Sequence, residues 1–381
     1  MIHITDKHNC CGCEACVQKC PNKCISAFPD EEGFLYPVVD EALCVNCGLC
    51  DEVCPMLREP HRGEEVLAAY AAYVADEELR QKSSSGGLFS ALAADNLQQG
   101  GVVFGAAMDG PYSVCHTAVS EEKELDALRG SKYLQSHIHR SFARVQRYLR
   151  RGKPVLFTGT ACEVAGLKGF LGKEYENLFT VDVLCHGVPS PAVWKAYVKE
   201  HEGANGSSVR TIDFRNKSQG WNEFSMKLRF ADGRTYEESF RKDPFMQLFL
   251  RNAILRPSCH ACPFKALERD SDLTVGDAWG VEDVFPDFSD DKGTSVVLVH
   301  TERGAELLER VRDGLVLKEG DADALLPPTA DSRKSVTPHP KRETVFQQFR
   351  KNKPVSGLVK YTEPNVLQKA LRRLVRITTQ Q

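Results

Sequence analysis

The sequence of 381 residues has no apolar stretch long enough to span a membrane and no hydrophobic segment at its start. Its longest apolar runs, such as residues 101–108 and 295–299, fall far short of the roughly 20 residues that a transmembrane helix needs. The first residues are polar, so no secretory signal is expected. We therefore expect a soluble, cytoplasmic protein that reaches a membrane only through a partner.

The lack of a strong net charge and of a dinucleotide-binding motif excludes two classes of function. The formal net charge is only −3, so the overall balance calls for neither nucleic acid nor an acidic substrate. No G-x-G-x-x-G motif follows a strand-like segment, so a Rossmann dinucleotide site is not indicated. The function must therefore be inferred from other local motifs.

Cysteine is the residue type that stands out, with fifteen in the chain. Disulfides are not expected in an unexported chain, because the cytosol keeps thiols reduced. Binding of a metal ion or cluster is the better expectation, and the spacing of the cysteines decides between them.

The first 55 residues contain the spacing C-x2-C-x2-C-x3-C-P twice. Bacterial two-cluster ferredoxins bind two 4Fe–4S clusters with this run, and the fourth cysteine of each run binds the other cluster. Zinc fits poorly, because it usually takes two separated C-x2-C pairs. Cys11 and Cys24 fall outside the pattern and are interpreted as packed thiols. The predicted ligands are Cys10, Cys13, Cys16 and Cys54 for one cluster, and Cys20, Cys44, Cys47 and Cys50 for the other.

The remaining sequence alternates strand-like and helical segments, which indicates crossover connections and a mostly parallel sheet. Two alternating runs within residues 224–240 meet at Asp232-Gly233, a hairpin signal. We predict an α+β chain in which a bacterial-type ferredoxin module, residues 1–60, precedes a mixed α/β domain, residues 61–340. The domain carries an antiparallel insertion, and a linker at residues 58–65 marks the boundary.

Residues 341–381 form a basic C-terminal tail with ten Lys or Arg and two Glu. Apolar positions at Leu367, Leu371 and Leu374 predict an amphipathic helix. It is interpreted as a solvated helix packed on the main domain, and the alternative is a docking surface for an acidic partner or a membrane.

Four further cysteines are predicted to meet in the body. Cys162 and Cys185 follow strand-like segments, and the carboxyl ends of parallel strands converge at one edge of a sheet. Cys259 and Cys262 form a C-x2-C pair that could close over them. Spacing alone leaves open a third 4Fe–4S cluster, a zinc site or unrelated buried thiols.

Six longer motifs then identify a family. The chain resembles the beta subunits of coenzyme F-420-reducing hydrogenases and dehydrogenases, in the variant with an N-terminal two-cluster ferredoxin. The motifs are Ser83-Ser84-Ser85-Gly86-Gly87-Leu88, Arg129-Gly130-Ser131-Lys132-Tyr133-Leu134-Gln135-Ser136, Thr158-Gly159-Thr160-Ala161-Cys162, Cys185-His186-Gly187-Val188-Pro189-Ser190-Pro191, Cys259-x-x-Cys262-Pro263-Phe264-Lys265 and Gly276-Asp277-Ala278-Trp279-Gly280.

The resemblance implies that residues 61–340 bind FAD and a third 4Fe–4S cluster, the latter on Cys162, Cys185, Cys259 and Cys262. Glycine and serine at a helix start suit a phosphate, and a lysine near a flavin can stabilise charge on the reduced ring. Without the family, Ser-Ser-Ser-Gly-Gly would be read as a cap and turn. The resemblance implies that the flavin contacts Ser84, Ser85, Gly86, Gly87, Ser131, Lys132, Thr158, Gly159 and Thr160.

One departure from the family bears on the substrate. The usual turn is Thr-Pro-Cys-Gln, whereas this chain has Ala161 and Glu163, whose charge is expected to lower the potential of the adjacent cluster. The deazaflavin F-420 is therefore only one candidate substrate.

We expect a flavin- and iron–sulfur-dependent oxidoreductase that converts two-electron exchange with a hydride donor or acceptor into one-electron transfers. Lys132 and His186 are the candidate catalytic residues, although His186 is equally well explained as a structural histidine. One alternative is an electron-transfer subunit that feeds a separate catalytic partner and has no small-molecule substrate. The other is a structural or redox-sensing cluster protein without flavin.

Overall fold

The computed structural model describes residues 1–58 and 65–363. Most of the linker predicted at residues 58–65 lies outside the described residues. The helical positions Leu367, Leu371 and Leu374 of the predicted tail also lie outside them.

The N-terminal module is a small ferredoxin-like unit in which two short helices flank a hairpin. Its elements are α1 (Ala15–Lys19), β1 (Ile25–Pro29), β2 (Leu35–Val39) and α2 (Leu49–Glu52). The strands pair antiparallel from Ile25 with Val39 to Pro29 with Leu35. Gly12 holds φ at +78° in the first cysteine loop, where a Cβ atom would lie 2.1 Å from Nε2 of Gln135. The loop therefore approaches the body too closely for a side chain at this position.

The body is built on a nine-stranded sheet in the described part of the chain, with the order β14-β3-β13-β12-β8-β7-β4-β5-β6. Three further strands, β9 to β11, form a separate antiparallel sheet. The strands are β3 (Ala68–Val74), β4 (Val102–Asp109), β5 (Ser113–Val119), β6 (Ser136–His137), β7 (Val155–Thr160), β8 (Leu178–Val183), β9 (Val209–Asn216), β10 (Ser225–Phe230), β11 (Thr235–Ser239), β12 (Leu273–Asp277), β13 (Ser295–Val299) and β14 (Leu315–Gly320).

The main sheet is mixed rather than mostly parallel. The neighbours β7–β8, β4–β7, β8–β12 and β5–β6 pair parallel, whereas β4–β5, β12–β13, β3–β13 and β3–β14 pair antiparallel. The expectation of a mostly parallel sheet was wrong because residues 110–112 join β4 to β5 directly. Such a short connection allows only antiparallel pairing. The parallel centre nevertheless keeps the carboxyl ends of β7, β8 and β12 at one edge.

The helices of the body cover the sheet and the insertion. They are α3 (Glu77–Lys82), α4 (Leu88–Gln98), α5 (Ser141–Leu149), α6 (Ala161–Leu171), α7 (Pro191–Asn205), α8 (Pro244–Leu250), α9 (Val281–Val284), α10 (Glu302–Arg310), α11 (Ala322–Leu325), α12 (Arg342–Arg350) and α13 (Val355–Leu358). None of the described helices is long and apolar enough to cross a bilayer.

The predicted insertion is confirmed as an antiparallel hairpin of β10 and β11, turned at Gly233 with φ +86°. It packs with α7 and α8 in the largest apolar cluster, around Trp194 and Phe245. Val345 and Phe346 of α12 are fully buried in the same cluster. The described part of the predicted tail therefore packs on the body.

Candidate functional site

A cavity of about 310 Å³ lies at the carboxyl ends of β7, β8 and β12. Open α/β sheets bind ligands at this edge, and the volume is at the lower end of the range for ligand pockets. We call it the central cavity. Nine predicted flavin or catalytic residues line it, namely Ser84, Ser85, Gly87, Ser131, Lys132, Thr158, Gly159, Thr160 and His186.

Gly86 is the predicted flavin residue that does not line the cavity. A Cβ atom there would lie 2.4 Å from the carbonyl oxygen of Ala72. Its N–H donates to Oγ of Ser295 at 3.0 Å, and Oγ of Ser85 donates to the carbonyl of Thr294 at 2.9 Å. Close packing against β3 and β13 thus fixes the serine–glycine segment at the cavity wall.

The start of α4 opens on the cavity. Gly87 caps this helix with φ +92°, and no side chain among the described residues caps its first N–H groups. These groups and the positive end of the helix dipole suit an anionic group. Ser84 ties the segment to the neighbouring loop by accepting the N–H of Ser131 at 2.7 Å.

Lys132 contributes a largely desolvated amine to the cavity. Its Nζ donates to the carbonyls of Arg129 at 2.7 Å and Ala127 at 3.2 Å. Burial lowers the pKa of Lys132 to about 7. Small changes in local charge therefore switch this amine between its protonated and neutral forms near neutral pH.

The Thr158-Gly159-Thr160 turn ends β7 at the cavity. Thr160 and Glu163 form a reciprocal capping box at the start of α6, in which Oε2 of Glu163 accepts the N–H of Thr160 at 2.7 Å. A Cβ atom on Gly159 would lie 2.9 Å from the same oxygen. Glu163 thus caps the helix that carries Cys162. The neighbouring Cys11 thiol and burial raise the pKa of Cys162 well above its ordinary value, and the negative charge of Glu163 adds to this.

His186 lines the cavity, but both of its ring nitrogens have partners. Nε2 lies 2.8 Å from Oδ1 of Asn252, and Nδ1 lies 3.5 Å from Oδ2 of Asp331. Burial lowers the pKa of His186, which favours the neutral ring. These contacts favour the structural interpretation over that of a free proton donor.

The ferredoxin cysteines surround two separate small cavities, divided as the spacing predicts. The first is lined by Cys10, Cys13, Cys16 and Cys54, with Cys11 beside them. The second is lined by Cys20, Cys44, Cys47 and Cys50, with Cys24 beside them. The fourth cysteine of each run therefore reaches across to the other set, as the ligand-exchange rule of two-cluster ferredoxins requires.

The four body cysteines are also brought together. Burial raises the pKa of Cys185 far above its ordinary value, and the charges of the other three thiols raise it further. Burial likewise raises the pKa of Cys259 to about 12 and that of Cys262 to about 11. Four neighbouring, partly buried thiols are deprotonated together most readily when they bind cationic metal.

Within residues 1–58 and 65–363, no three His, Cys, Asp or Glu side chains are arranged to hold a single metal ion. Ligand sulfurs of one tetrahedral zinc ion would lie about 3.8 Å apart, given a Zn–S bond of about 2.3 Å. A 4Fe–4S cluster binds its four thiolates through four different iron atoms. A cluster therefore needs thiolates that lie farther apart than those around one zinc ion.

Cys11 occupies a position that spacing did not reveal. It was interpreted as a packed thiol, and it is partly buried. Its thiol lies beside those of Cys13 in the module and Cys162 in the body, and its proximity raises the pKa of Cys162. The first module set and the body set are therefore adjacent. Gly166 of α6 permits the approach, since a Cβ there would lie 2.8 Å from Cβ of Cys13.

Arg256 lies at the same junction and carries no motif that sequence reasoning could have used. The residue is 1% exposed. It donates only to neutral acceptors, at 2.8–2.9 Å. No carboxylate in the described part of the chain forms an ion pair with it. The acceptors are the carbonyls of Cys10 and Leu35 and Oε1 of Gln135.

Comparison with known proteins gives three family matches. Residues 69–142 match the N-terminal part and residues 152–324 the C-terminal part of the coenzyme F-420 hydrogenase/dehydrogenase beta subunit. Residues 9–57 match a 4Fe–4S dicluster domain. The first two matches together span well over half of the chain.

Among solved structures, a chain of the F-420-reducing nickel–iron hydrogenase complex of Methanosarcina barkeri is similar. It is 18% identical, the match covers 78% of this chain and 98% of that chain, and the TM-score is 0.49. A search of curated proteins found no significant match.

Proposed function

The chain belongs to the coenzyme F-420 hydrogenase/dehydrogenase beta-subunit family, and from this premise we propose that it is an iron–sulfur flavoprotein oxidoreductase. A two-electron carrier would react at the central cavity, and a one-electron partner would dock at the ferredoxin module. The observation that carries the proposal is the order of the sites. The cavity, the body cysteines and the two module cysteine sets follow one another from the sheet edge to the surface.

The residues of the central cavity fit an FAD. The uncapped start of α4 suits phosphate, and Lys132 supplies an amine at the same wall. When bound, FAD supplies the conversion between hydride exchange and single-electron transfer. The chain's part is to hold the ring, keep water away and set the charge beside it. The proposed contacts are the eight predicted flavin residues that line the cavity, and Gly86 supports them from behind the wall.

The body cysteines fit a third 4Fe–4S cluster. Cys185 lines the central cavity, and Cys162 contacts Cys11, which contacts Cys13 of the module. In the second cysteine set of the module, farthest from the central cavity, Cys47 is exposed. Leu43 and Val45 beside it are 54% and 67% exposed. Exposed apolar side chains of this kind mark interaction sites, so a redox partner would dock here.

The test is anaerobic purification followed by an absorption spectrum and quantitation of iron and flavin. Three 4Fe–4S clusters would contribute about twelve irons per chain, with one FAD. About eight irons and no flavin would leave only the ferredoxin module and overturn the proposal.

The alternative is an electron-transfer subunit without its own small-molecule substrate. The family description as a beta subunit favours a partner protein. Reduction of viologen by candidate hydride donors, F-420 among them, separates the two functions. Turnover by the isolated chain supports the oxidoreductase, and turnover only after a partner is added supports the subunit.

The pKa of Lys132 predicts a pH effect on such turnover. If the ammonium form stabilises charge in the cavity, the rate should fall as the pH rises through about 7. An unfolded lysine titrates near 10.4, so between about pH 7 and pH 10 the folded chain binds one proton fewer. Unfolding free energy should therefore rise with pH across this window.

The measurement is the turnover rate between pH 5.5 and pH 9. Lys132→Met should be slow and should not show the step near pH 7, whereas Lys132→Arg should keep its rate above pH 8. A step that persists unchanged in Lys132→Met would assign the titration to another group.

A further inference from the structure

A second pocket, of about 350 Å³, adjoins the central cavity. Ser83, Ser84 and residues 129–132 line both spaces. Its other walls come from residues 81–82, Asp126, and residues 212, 213 and 215–217 at and just after the end of β9. We call it the basic pocket. The two spaces share one wall, so a single extended ligand can occupy both.

Positive charge dominates the basic pocket. Its lining has five cationic residues against two carboxylates, those of Asp126 and Asp213. Asp126 pairs with Arg129, and Asp213 accepts the N–H of Arg215 and the side-chain amide of Asn216. Lys82 and Arg215 pair with carboxylates outside the pocket wall, those of Glu78 and Asp277. Lys132 and Lys217 are therefore the two cations of the wall that form no ion pair with a carboxylate among the described residues. The cationic residues are Lys82, Arg129, Lys132, Arg215 and Lys217.

Two of these cations are buried, and their hydrogen-bond or charge partners are incomplete. Lys217 is 7% exposed, and its Nζ donates only to the carbonyls of Arg80 at 2.7 Å and Lys292 at 2.8 Å among the described residues. Arg215 is 4% exposed and pairs with Asp277, but its Nε is buried and has no hydrogen-bond partner. Burial and the neighbouring arginines lower the pKa of Lys217 to about 8.

A buried, unsatisfied donor and an uncompensated ammonium are costly unless an anion binds. We propose that the basic pocket binds a diphosphate or a similarly charged phosphate group. Two sources share this chemistry, namely the diphosphate of FAD and the tail of a separate two-electron carrier. Assigning either source rests on the proposed function, whereas phosphate binding itself does not.

Inorganic pyrophosphate is the probe, titrated calorimetrically into the anaerobic full chain with its clusters reconstituted. Lys217→Gln keeps a donor for the two carbonyls but removes the charge. It should weaken pyrophosphate binding about tenfold or more, the loss expected for one hydrogen bond to a charged group. Lys195→Gln, at an exposed position of α7, is the matched control and should bind like the wild type.

Lys82→Glu provides a second variant with little risk to folding, because Lys82 lies at the rim and its side chain is 55% exposed. It should weaken binding several-fold, and more at low salt. No binding to the wild type, or equal binding to wild type, Lys217→Gln and Lys82→Glu, would overturn the proposal.

Repeating the titration after saturation with FAD separates the sources. Loss of pyrophosphate binding would assign the pocket to the flavin diphosphate, and persistence would assign it to a carrier that binds beside the flavin. If the chain binds no flavin at all, the proposed function fails, but the pyrophosphate result still decides whether the pocket takes phosphate.

Discussion

Replacing Cys185 with alanine should remove one cluster and disconnect the central cavity from the ferredoxin module. Cys185 lies in the cavity wall and within the group of body cysteines. Iron should fall from about twelve to about eight atoms per chain, since each cluster holds four. Reduction of the module by a hydride donor should drop to background, while dithionite should still reduce its two clusters.

Cys115→Ala is the matched control. Cys115 is a partly buried cysteine on β5 that pairs with Ala107 and His137, away from the cysteine sets. It should keep its iron and its rate. Twelve irons in Cys185→Ala, or equal losses in the control, would refute the assignment of the body cysteines to a cluster.

Local sequence signals predicted the parts of the fold that depend on neighbouring residues. The capping box at Thr160 starts α6 and Gly172 ends it with φ +68°, so both bounds of this helix are set by residues next to it. The turn residues Asp232-Gly233 likewise allowed the hairpin to be predicted from sequence. The cysteine runs also predicted which cysteines the structure places around each of the two small cavities, since ferredoxin loops impose the spacing itself.

Contacts between segments that are distant in the sequence could not be predicted in this way. Strand order depends on pairing across the whole chain, so the antiparallel partners of β3 and β13 left no local trace. Cys11 and Arg256 acquire their roles only because the module packs on the body, and Arg215 only because β9 passes behind the cavity loops. Such residues have ordinary sequence surroundings.

Arg256→Gln should lower the reduction potentials of the two clusters whose cysteine sets meet at the junction. The buried guanidinium has only neutral hydrogen-bond acceptors, which is costly for a charge. The negative charge of thiolate-bound clusters would provide the counter-charge, on one side through the Cys10 loop. On the other side, the N–H of Cys259 donates to the carbonyl of Arg256 at 3.0 Å.

The size of the shift follows from electrostatics. A unit charge at a separation somewhat beyond direct contact, with an effective dielectric constant of about 20, contributes on the order of 2 kcal/mol. For a one-electron couple this corresponds to on the order of 100 mV. Removing the cation disfavours the reduced, more negative cluster, so both potentials should move downward. The more distant set that includes Cys47 should move least.

Arg342→Gln separates the charge effect from loss of docking. Arg342 also joins the module to the body, but it has its own carboxylate partner in Glu32 and donates to the carbonyl of Leu255. Its loss should weaken the junction without moving the potentials, whereas Arg256→Gln should move them even where thermal stability is kept. Redox titration followed by electron paramagnetic resonance measures the potentials of both clusters in each variant. Unchanged potentials in Arg256→Gln, with full iron content, would reduce Arg256 to a structural tie between module and body.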